Sequence, residues 1–331
     1  MRNPFHFVHT TGGFADLFLN LGERRESRRG GTHPDELAGP LPAAGIVDSD
    51  TSRHDADPGF KADGRHTLAL LAAHYGLPSP PTPPRNGGEL PLSVRRLGYM
   101  ETRMRKGYQG TGPGAITPDG CAVELYSRLP IGTEPEIIAA AIPPRAHILE
   151  LGCGVGRMTH PLLERGFTVT AVDESAEMTD RVLGARTVRS PIEELELGER
   201  FDVVLLASFL VHAGDAEVRR GLLRTCLRHL APGGVVLIQR EGEDYHTDVP
   251  RERVDPAGFT VRIASDEPIG DGVHRVRCEY LFPDAEWTQT FLSRPLTKEQ
   301  FEDALSEVGL QVDRYLTEDR IWVRAVAATT E

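Results

Sequence analysis

A short apolar run that leads directly into a cluster of glycines is the feature that most constrains the fold of this chain. Residues 147–151 read as a buried parallel strand, and three glycines follow at once: Gly152, Gly154 and Gly156. Glycine permits positive φ and has no Cβ, so backbone N–H groups in such a turn can approach a ligand. Residues 157–165 then have the apolar spacing of a helix. The sequence therefore predicts a strand, a ligand-binding turn and a helix.

A second strand ends in an acid at the position where a nucleotide ribose is commonly bound. Residues 167–172 are apolar and β-branched, and Asp173 follows them. A carboxylate there can accept both ribose hydroxyls. The glycine spacing is G-x-G-x-G, and Arg157 stands where the G-x-G-x-x-G of dinucleotide binders has its third glycine.

The following segments continue the alternation of strands and helices. Ser175 reads as the N-cap of a second helix, and residues 185–188 read as a short third strand. Residues 201–207 read as a buried fourth strand, Asp215 as the N-cap of a helix over 216–230, and 235–238 as a fifth strand. The run Glu150-Leu-Gly-Cys-Gly-Val-Gly156, with Asp173 and the stretch 230–238, resembles class I S-adenosylmethionine-dependent methyltransferases. The resemblance covers residues 97–327. It implies an α/β fold: a Rossmann-like seven-stranded, mostly parallel sheet with an antiparallel last strand, helices on both faces, and a small antiparallel insert after strand five.

Residues 240–296 interrupt the alternation. Three stretches within them alternate polar and apolar residues, as two-sided antiparallel strands do: 259–263, 273–282 and 286–292. We expect this insert to roof the substrate site or to form a homodimer contact. Thr297 then caps a predicted helix, and a final hairpin ends at residue 327.

The resemblance implies S-adenosyl-L-methionine as the cofactor. It places Glu150, Gly152, Cys153, Gly154 and Gly156 at the methionine moiety and the turn, and Asp173 at the ribose. It places Met178, Ser190 and Ile192 around the adenine, and Ala207 and Ser208 beside the sulfonium. Met178 reads equally well as ordinary helix core. The family commonly has an acid after its third strand, and this chain departs from that pattern because Ser190 or the backbone would have to bind the adenine amino group.

Methyl transfer from a sulfonium needs donor and acceptor in line and water excluded, and a base helps when the acceptor carries a proton. His212 lies just past the fourth strand and is the candidate base; its alternative role is to pack against the adenosyl group or support the loop. Candidate substrate residues are the aromatic group Tyr99, Tyr108 and Tyr126, and the group after strand five: Arg240, Glu241, Tyr245 and His246. For Tyr126 the alternative is an aromatic anchor between helix and sheet, and for the second group it is a solvated loop.

The composition limits the partners. A net charge of −12 argues against general affinity for nucleic acid or an acidic membrane surface. The four cysteines lie far apart with no C-x-x-C pair, which suits a reducing cytoplasm better than a disulfide scaffold or a zinc site. No acidic pair suited to a divalent metal follows the fourth strand, so we expect no metal. No Asn-Pro-Pro-Tyr or Asp-Pro-Pro-Tyr follows the fourth strand, which argues against the amines of DNA bases and glutamine amides as acceptors. The expected acceptor is therefore a small molecule, a metabolite or natural product.

Two parts are expected along the chain. Residues 1–97 are rich in Pro and Gly and are predicted to be a poorly ordered extension, and 98–331 form the methyltransferase domain. Two other functions stay open: an NAD-type Rossmann oxidoreductase, and a non-catalytic interaction module with a degenerate cofactor site. Titration with NADH against S-adenosylhomocysteine separates the first from a methyltransferase, and a lack of cofactor binding would indicate the second.

Overall fold

The computed structural model describes residues 104–329. The predicted extension 1–97, its boundary with the following domain and Tyr99 lie outside the described residues, and the predictions made for them stay predictions. The described strands are β1 (Gln109–Thr111), β2 (His147–Leu151), β3 (Thr168–Asp173), β4 (Arg186–Arg189), β5 (Phe201–Leu206), β6 (Leu230–Gln239), β7 (Arg251–Val254), β8 (Thr260–Gly270), β9 (Val273–Leu281), β10 (Glu286–Ser293), β11 (Leu310–Tyr315) and β12 (Trp322–Ala327). The described α-helices are α1 (Val123–Arg128), α2 (Glu134–Ala141), α3 (Thr159–Glu164), α4 (Ala176–Thr179), α5 (Ala216–His229) and α6 (Lys298–Ser306).

The larger sheet has seven strands in the order β11-β12-β6-β5-β2-β3-β4. The five strands from β6 to β4 are mutually parallel, and the last strand, β12, pairs antiparallel with both β6 and β11. This arrangement confirms the predicted Rossmann-like sheet with an antiparallel last strand. The chain leaves β2 toward β3 and β4 and then crosses to β5 on the other side of β2. Open α/β sheets bind ligands at the carboxyl ends of the strands beside such a reversal.

Both faces of the central strands are buried. Along β5, Val204 and Leu206 face one apolar core, which contains residues of α5 and α6. Val203 and Leu205 face the other core, which contains residues of α2 and α3. A strand covered by helices on both faces needs apolar residues at successive positions, so the continuous apolar run of β5 follows from its place in the sheet.

The second sheet is antiparallel, with five strands in the order β1-β10-β9-β8-β7. Strands β8, β9 and β10 confirm the predicted antiparallel insert, and the sequence analysis missed both edge strands, β7 and β1. Strand β1 precedes the whole Rossmann-like unit and pairs with β10. Trp287 and Phe259 of this part are buried together with Leu125 of α1. The segment before β2 is therefore held against the insert.

Local hydrogen bonds explain where several helices begin. The predicted N-caps Ser175, Asp215 and Thr297 each accept backbone N–H groups at the starts of α4, α5 and α6. Thr117 followed by Pro118 has the sequence pattern of a helix N-terminus, but the prediction of an N-cap there is wrong. The Thr117 hydroxyl instead bonds within a turn to Asp119 and Cys121, and α1 starts only at Val123. No helix within 104–329 is long and apolar enough to cross a membrane.

Candidate active site

A cavity opens where the carboxyl ends of β2, β3 and β5 meet the second sheet. Most of the predicted site residues line it: Tyr108, Tyr126, Glu150, Gly152, Cys153, Gly154, Asp173, Met178, Ser190, Ile192, Ser208, His212, Glu241 and Tyr245. Four predicted residues lie outside this lining: Gly156, Ala207, Arg240 and His246. The structure thus brings together the residues expected at the cofactor and several of those expected at the acceptor.

The glycine turn owes its shape to positive φ and to internal hydrogen bonds. Gly152 has φ of 75°, and a Cβ there would lie 2.8 Å from Leu210 Cδ1. The N–H groups of Gly152 and Cys153 both donate to the Val172 carbonyl, at 2.9 Å each. The Gly154 N–H donates to Asp173. These three N–H groups already have partners in the protein, which differs from the expectation that the turn offers bare donors to a ligand.

Asp173 stands at the end of β3 beside the turn. Its Oδ2 accepts the Gly154 N–H and its Oδ1 accepts the Ser175 N–H, each at 2.9 Å. Burial raises the pKa of this carboxyl to about 6, although the two backbone hydrogen bonds act in the opposite direction. Each carboxylate oxygen retains acceptor capacity on the cavity side, and the two hydroxyls of a ribose are matching donors.

Glu150 is a buried acid at the carboxyl end of β2. Thr159 Oγ1 donates to its Oε2 at 2.6 Å. Burial raises its pKa to about 7, and this effect outweighs the hydrogen bond from Thr159. A ligand that brings a positive charge into the cavity favours the ionised form of this group.

The residues predicted to contact the adenine all line the cavity. Met178 is buried in a small cluster with Val123 and Val155, so its side chain serves as helix core while also lining the cavity. Ile192 is also buried and lines the cavity. The hydroxyl of Ser190 donates to the Pro191 carbonyl at 2.8 Å. The Ser190 hydroxyl proton is therefore used in a bond to the adjacent residue, and only the hydroxyl oxygen can accept a further hydrogen bond.

His212 has both ring nitrogens engaged. Its Nε2 accepts the backbone N–H of Glu241 at 3.0 Å, so the proton of the neutral ring lies on Nδ1. Nδ1 donates to the Arg294 carbonyl at 2.9 Å and lies 3.2 Å from Glu241 Oε2. Burial lowers the pKa of His212 and outweighs the attraction of Glu241. The base role of His212 stays a prediction, and its geometry is that of a support for the Glu241 segment.

The Glu241 carboxylate lies in the cavity wall and is 3 % exposed. Ser293 donates its hydroxyl to Oε1 at 2.7 Å, and His246 Nε2 lies 2.9 Å from Oε2. Attraction by the imidazoles of His212 and His246 overcomes the opposing effect of burial and lowers the pKa of Glu241. Glu241 is therefore an ionised acid at the substrate side of the cavity.

Other predicted substrate residues are fixed by contacts of their own. The Tyr108 hydroxyl donates to the Leu292 carbonyl at 3.4 Å, and the Tyr126 hydroxyl donates to Gln289 Oε1 at 3.3 Å. Arg240 is directed toward α6, where its guanidinium lies over the Phe301 ring. Two of the three thus remain at the cavity, and Arg240 supports the sheet behind it.

Several lining residues were missed by sequence reasoning: Arg105, Asp119, Cys121, Arg157, Glu174, Glu193, Tyr280, Gln289 and Ser293. Gln289 and Ser293 are buried polar residues on the inward face of β10, which otherwise carries Trp287. A polar residue at a core-facing position of an alternating strand is the signal that would have found them. Arg105 lies before the first helix and no pattern in the sequence marks it.

Comparison with known proteins gives one family and a shared fold. A family model described as a methyltransferase domain matches residues 128–315. The chain is 27% identical over 153 residues to a ubiquinone biosynthesis O-methyltransferase of Rickettsia conorii, covering 44% of this chain and 52% of that protein. It is 33% identical over 105 residues to the protein of that name from a Caulobacter species, covering 28% and 39%.

These matches span about half, or less, of the curated relatives' length. Among solved structures, the sugar N-methyltransferase KedS8 from a Streptoalloteichus species has a TM-score of 0.50 and 19% identity. The similarity covers 66% of this chain and 98% of that one, and it shows a common fold.

Proposed function

The chain belongs to the methyltransferase-domain family, whose model matches residues 128–315, and we propose that it transfers a methyl group from S-adenosylmethionine to a small-molecule acceptor. The placement of Asp173 at the topological reversal of the sheet is the observation that supports this most directly. Its carboxylate lines the cavity beside a side-chain-free turn and has acceptor capacity for a ribose. The comparisons do not favour the NAD-type oxidoreductase or the non-catalytic module.

The charge of the cavity suits this cofactor. Carboxyl groups outnumber guanidinium groups in the lining: the acids are Asp119, Glu150, Asp173, Glu174, Glu193 and Glu241, and the bases are Arg105 and Arg157. A surplus of acidic groups attracts a positively charged ligand into a cleft. Bound S-adenosylmethionine supplies an electrophilic methyl group on a positively charged sulfur, so the residues present match it.

The residues of this chain bind and orient the reactants. Asp173 accepts the ribose hydroxyls, and Glu150 provides negative charge near the methionine end. Met178 and Ile192 provide apolar surface for the adenine. The second sheet covers the acceptor side, where it excludes water and holds the acceptor in line. Such placement can contribute much of the rate acceleration of a displacement reaction.

The acceptor in this proposal is a metabolite or natural product that carries an N–H or O–H group. Polar groups at the acceptor side support this, since Glu241, Ser293 and Gln289 offer hydrogen bonds in a wall that is otherwise largely aromatic and apolar. The surplus of carboxylates disfavours phosphorylated or other strongly anionic acceptors. Relatives named for ubiquinone biosynthesis give the proposal of a biosynthetic role its context.

We also propose that the protein acts in the cytoplasm, without nucleic acid, membrane or a required metal. The net charge of −12 and the four free cysteines support this. A homodimer through the antiparallel insert remains part of the proposal and is tested by the molecular mass in solution.

The deciding experiment is isothermal titration calorimetry with S-adenosylhomocysteine and with NADH, followed by a methyl-transfer assay. The assay measures S-adenosylhomocysteine formation by mass spectrometry with a panel of small phenols, alcohols and amines. We expect binding of S-adenosylhomocysteine alone, and loss of that binding in Asp173→Ala. Absence of S-adenosylhomocysteine binding by the wild-type protein would refute the proposed function.

A further inference from the structure

Four side chains form a continuous set of hydrogen bonds that starts at the cavity wall and ends near the surface. Glu241 Oε2 lies 2.9 Å from His246 Nε2, and His246 Nδ1 lies 2.5 Å from Asp266 Oδ2. The other oxygen of Asp266 lies 2.5 Å from His274 Nδ1. We call these four residues the carboxylate–imidazole chain.

The chain is assembled from separate elements of the fold. Glu241 and His246 follow β6, Asp266 lies on β8 and His274 lies on β9. The inner member Glu241 is 3% exposed, His246 and Asp266 are 12% and 4% exposed, and the outermost member, His274, is 26% exposed. His274 is directly opposite Ser293 in the β9–β10 pairing, and Ser293 bonds the second oxygen of Glu241. The second sheet thus closes around Glu241 from two strands.

The same side chains include a group whose composition would suit a metal ion. Within residues 104–329, His246, Asp266 and His274 are the group of three potential ligands whose atoms lie within 4.8 Å of one another. A metal about 2.1 Å from each donor separates neighbouring donor atoms by about 3 Å. The two N···O distances of 2.5 Å are shorter than that separation, so the imidazoles and the carboxylate are in direct hydrogen-bonding contact. The geometry favours hydrogen bonding over metal binding.

We propose that Glu241 is the catalytic group that takes the proton of the acceptor, and that His246, held by Asp266 and His274, is the positioning residue that keeps Glu241 oriented and ionised. This inference rests on the proposed methyl transfer. As the N–H or O–H bond of the acceptor breaks, an O–H bond forms on Glu241. The acceptor atom keeps the electron pair and bonds the methyl carbon with it, while the carbon–sulfur bond breaks and its pair stays on sulfur.

The electrostatics of the site support this division of roles. Attraction by Glu241 and Asp266 outweighs burial and raises the pKa of His246, so its imidazolium form is favoured between two carboxylates. Glu241 benefits in return, because a buried acid without a cationic neighbour would bind a proton near neutral pH. His246 does not line the cavity, so it acts on the acceptor only through Glu241.

Other titratable and charged groups face this site from every neighbouring element. They are His212 from the turn after β5, Arg240 and Tyr245 from the segment after β6, Arg251 at the start of β7, and Cys278 of β9. Of these, the His212 ring is neutral in this arrangement, because a ring nitrogen that accepts the Glu241 N–H, as Nε2 does, carries no proton. A protonated His212 would also attract Glu241, but burial lowers the pKa of His212, whereas the pKa of His246 is raised. Near neutral pH, His246 is therefore the imidazole that supplies positive charge to the Glu241 carboxylate.

The test compares four variants in the full-length protein: Glu241→Gln, His246→Gln, Asp266→Asn and, as the matched control, Asp271→Asn. Asp271 lies in the exposed turn between β8 and β9, the strands that carry Asp266 and His274. Wild-type binding of S-adenosylhomocysteine and turnover with the best acceptor of the small-molecule panel establish the function first. Failure at that stage refutes the methyltransferase proposal; the comparison between variants then tests the inference by itself.

We expect Glu241→Gln to lower kcat by about 10²–10⁴-fold, while S-adenosylhomocysteine affinity stays at the wild-type value. In His246→Gln the loss of positive charge raises the pKa of Glu241, so the acid limb of the kcat/KM profile moves upward by about 1 pH unit or more. Asp266→Asn moves the acid limb of the kcat/KM profile upward by a smaller amount, and Asp271→Asn leaves that limb at its wild-type position. An active Glu241→Gln, or a uniform loss at all pH values in His246→Gln, overturns the inference.

A spectroscopic measurement separates titration from turnover. In protein with ¹⁵N-labelled histidine, we expect the His246 signals to titrate above the ordinary imidazole pKa, and to titrate lower in both Glu241→Gln and Asp266→Asn. Unchanged titration in both variants would overturn the proposed coupling. Addition of ZnCl₂ gives a further outcome: stoichiometric binding that is lost in Asp266→Asn would identify a metal site in place of a positioning chain.

Discussion

The backbone N–H of Gly154 donates to Oδ2 of Asp173 at 2.9 Å, which ties the glycine turn after β2 to the end of the neighbouring strand β3. The carboxylate that is placed to accept a ribose therefore also shapes the turn beside it. Its pKa of about 6 in the ligand-free protein reflects burial with only two backbone donors. Ligand hydroxyls supply the missing donors, so cofactor binding and ionisation of Asp173 are linked.

We therefore expect the affinity for S-adenosylhomocysteine to increase with pH through the range around 6. Hydroxyl donors stabilise the carboxylate, so the pKa of Asp173 falls on binding and protons are released. Calorimetry at pH 5 and pH 8, in two buffers of different ionisation enthalpy, measures the affinity and the proton release. We predict affinity lower by about tenfold at pH 5, and a flatter pH dependence in Asp173→Asn. A dissociation constant that does not change with pH would contradict this.

Glu150 is expected to lower the stability of the ligand-free protein at alkaline pH. Its pKa is about 7 in the folded protein against an ordinary value of 4.5. Between pH 4.5 and 7 the folded state keeps the Glu150 proton, whereas the unfolded state has lost it. The contribution of Glu150 to the free energy of unfolding therefore falls as the pH rises through this range. Above pH 7 the cost is roughly 3 kcal/mol.

Glu150→Gln removes that cost and keeps an oxygen that can accept the Thr159 hydroxyl. We predict a higher melting temperature than wild type at pH 8, a similar one at pH 4.5, and weaker S-adenosylhomocysteine binding. Differential scanning fluorimetry at both pH values, together with calorimetry, checks all three. A variant less stable than wild type at pH 8 would show that the buried charge is compensated by contacts that Gln cannot make.

The role of the bare turn can be separated from backbone strain by a pair of substitutions. Gly154 and Gly166 both have positive φ, at 54° and 84°. A Cβ on Gly154 would enter the cavity region with Met178 Sδ at 3.9 Å, whereas a Cβ on Gly166 would meet no atom within 4 Å. Both Ala variants incur a similar backbone cost, about 1 kcal/mol. We predict that only Gly154→Ala weakens S-adenosylhomocysteine binding, by tenfold or more as measured by calorimetry; equal affinities would refute the steric role of the turn.

Much of the fold could be predicted because the central sheet imposes strong local patterns. A strand covered on both faces must be apolar at successive positions, as β5 is, and a helix that starts at an exposed end needs a cap, as Asp215 provides for α5. The edge strands β1 and β7 carry no such requirement. Both strands are short and partly exposed. Their pairing depends on partners that are distant in sequence.

The residues of the site also fall into two groups, those that the sequence could predict and those that it could not. The location of Gly152 and Asp173 at the cavity could be predicted because backbone conformation and ligand chemistry restrict those positions to few residue types. The arrangement around Glu241 could not, since His246, Asp266 and Ser293 come from segments that meet only when the second sheet forms. His212 was attractive by position alone, and its hydrogen bonds to the Glu241 and Arg294 backbone became evident only in three dimensions.

Arg105 provides a further prediction about access to the cofactor. Its guanidinium binds Glu174 at the end of β3 and Glu193 in the turn after β4, at 3.1–3.2 Å. Its backbone N–H donates to the Pro118 carbonyl at 2.7 Å. All three side chains are partly exposed, and Arg105 and both acids line the cavity. The residue therefore joins the segment before β1 to the part of the cavity lining where we propose that the ribose and adenine bind.

We predict that Arg105→Gln raises the dissociation constant of S-adenosylhomocysteine several-fold with little change in melting temperature, because exposed ion pairs contribute only about 0.2–1 kcal/mol to folding. Salt should weaken wild-type binding more than binding by the variant, since salt screens the same ion pairs. Arg128→Gln is the matched control, because Arg128 pairs with Asp284 and lies outside the cavity lining. Stopped-flow measurement of ligand dissociation at low and high NaCl checks the prediction, and equal dissociation rates for wild type and Arg105→Gln would show that this ion pair does not close the cofactor end of the cavity.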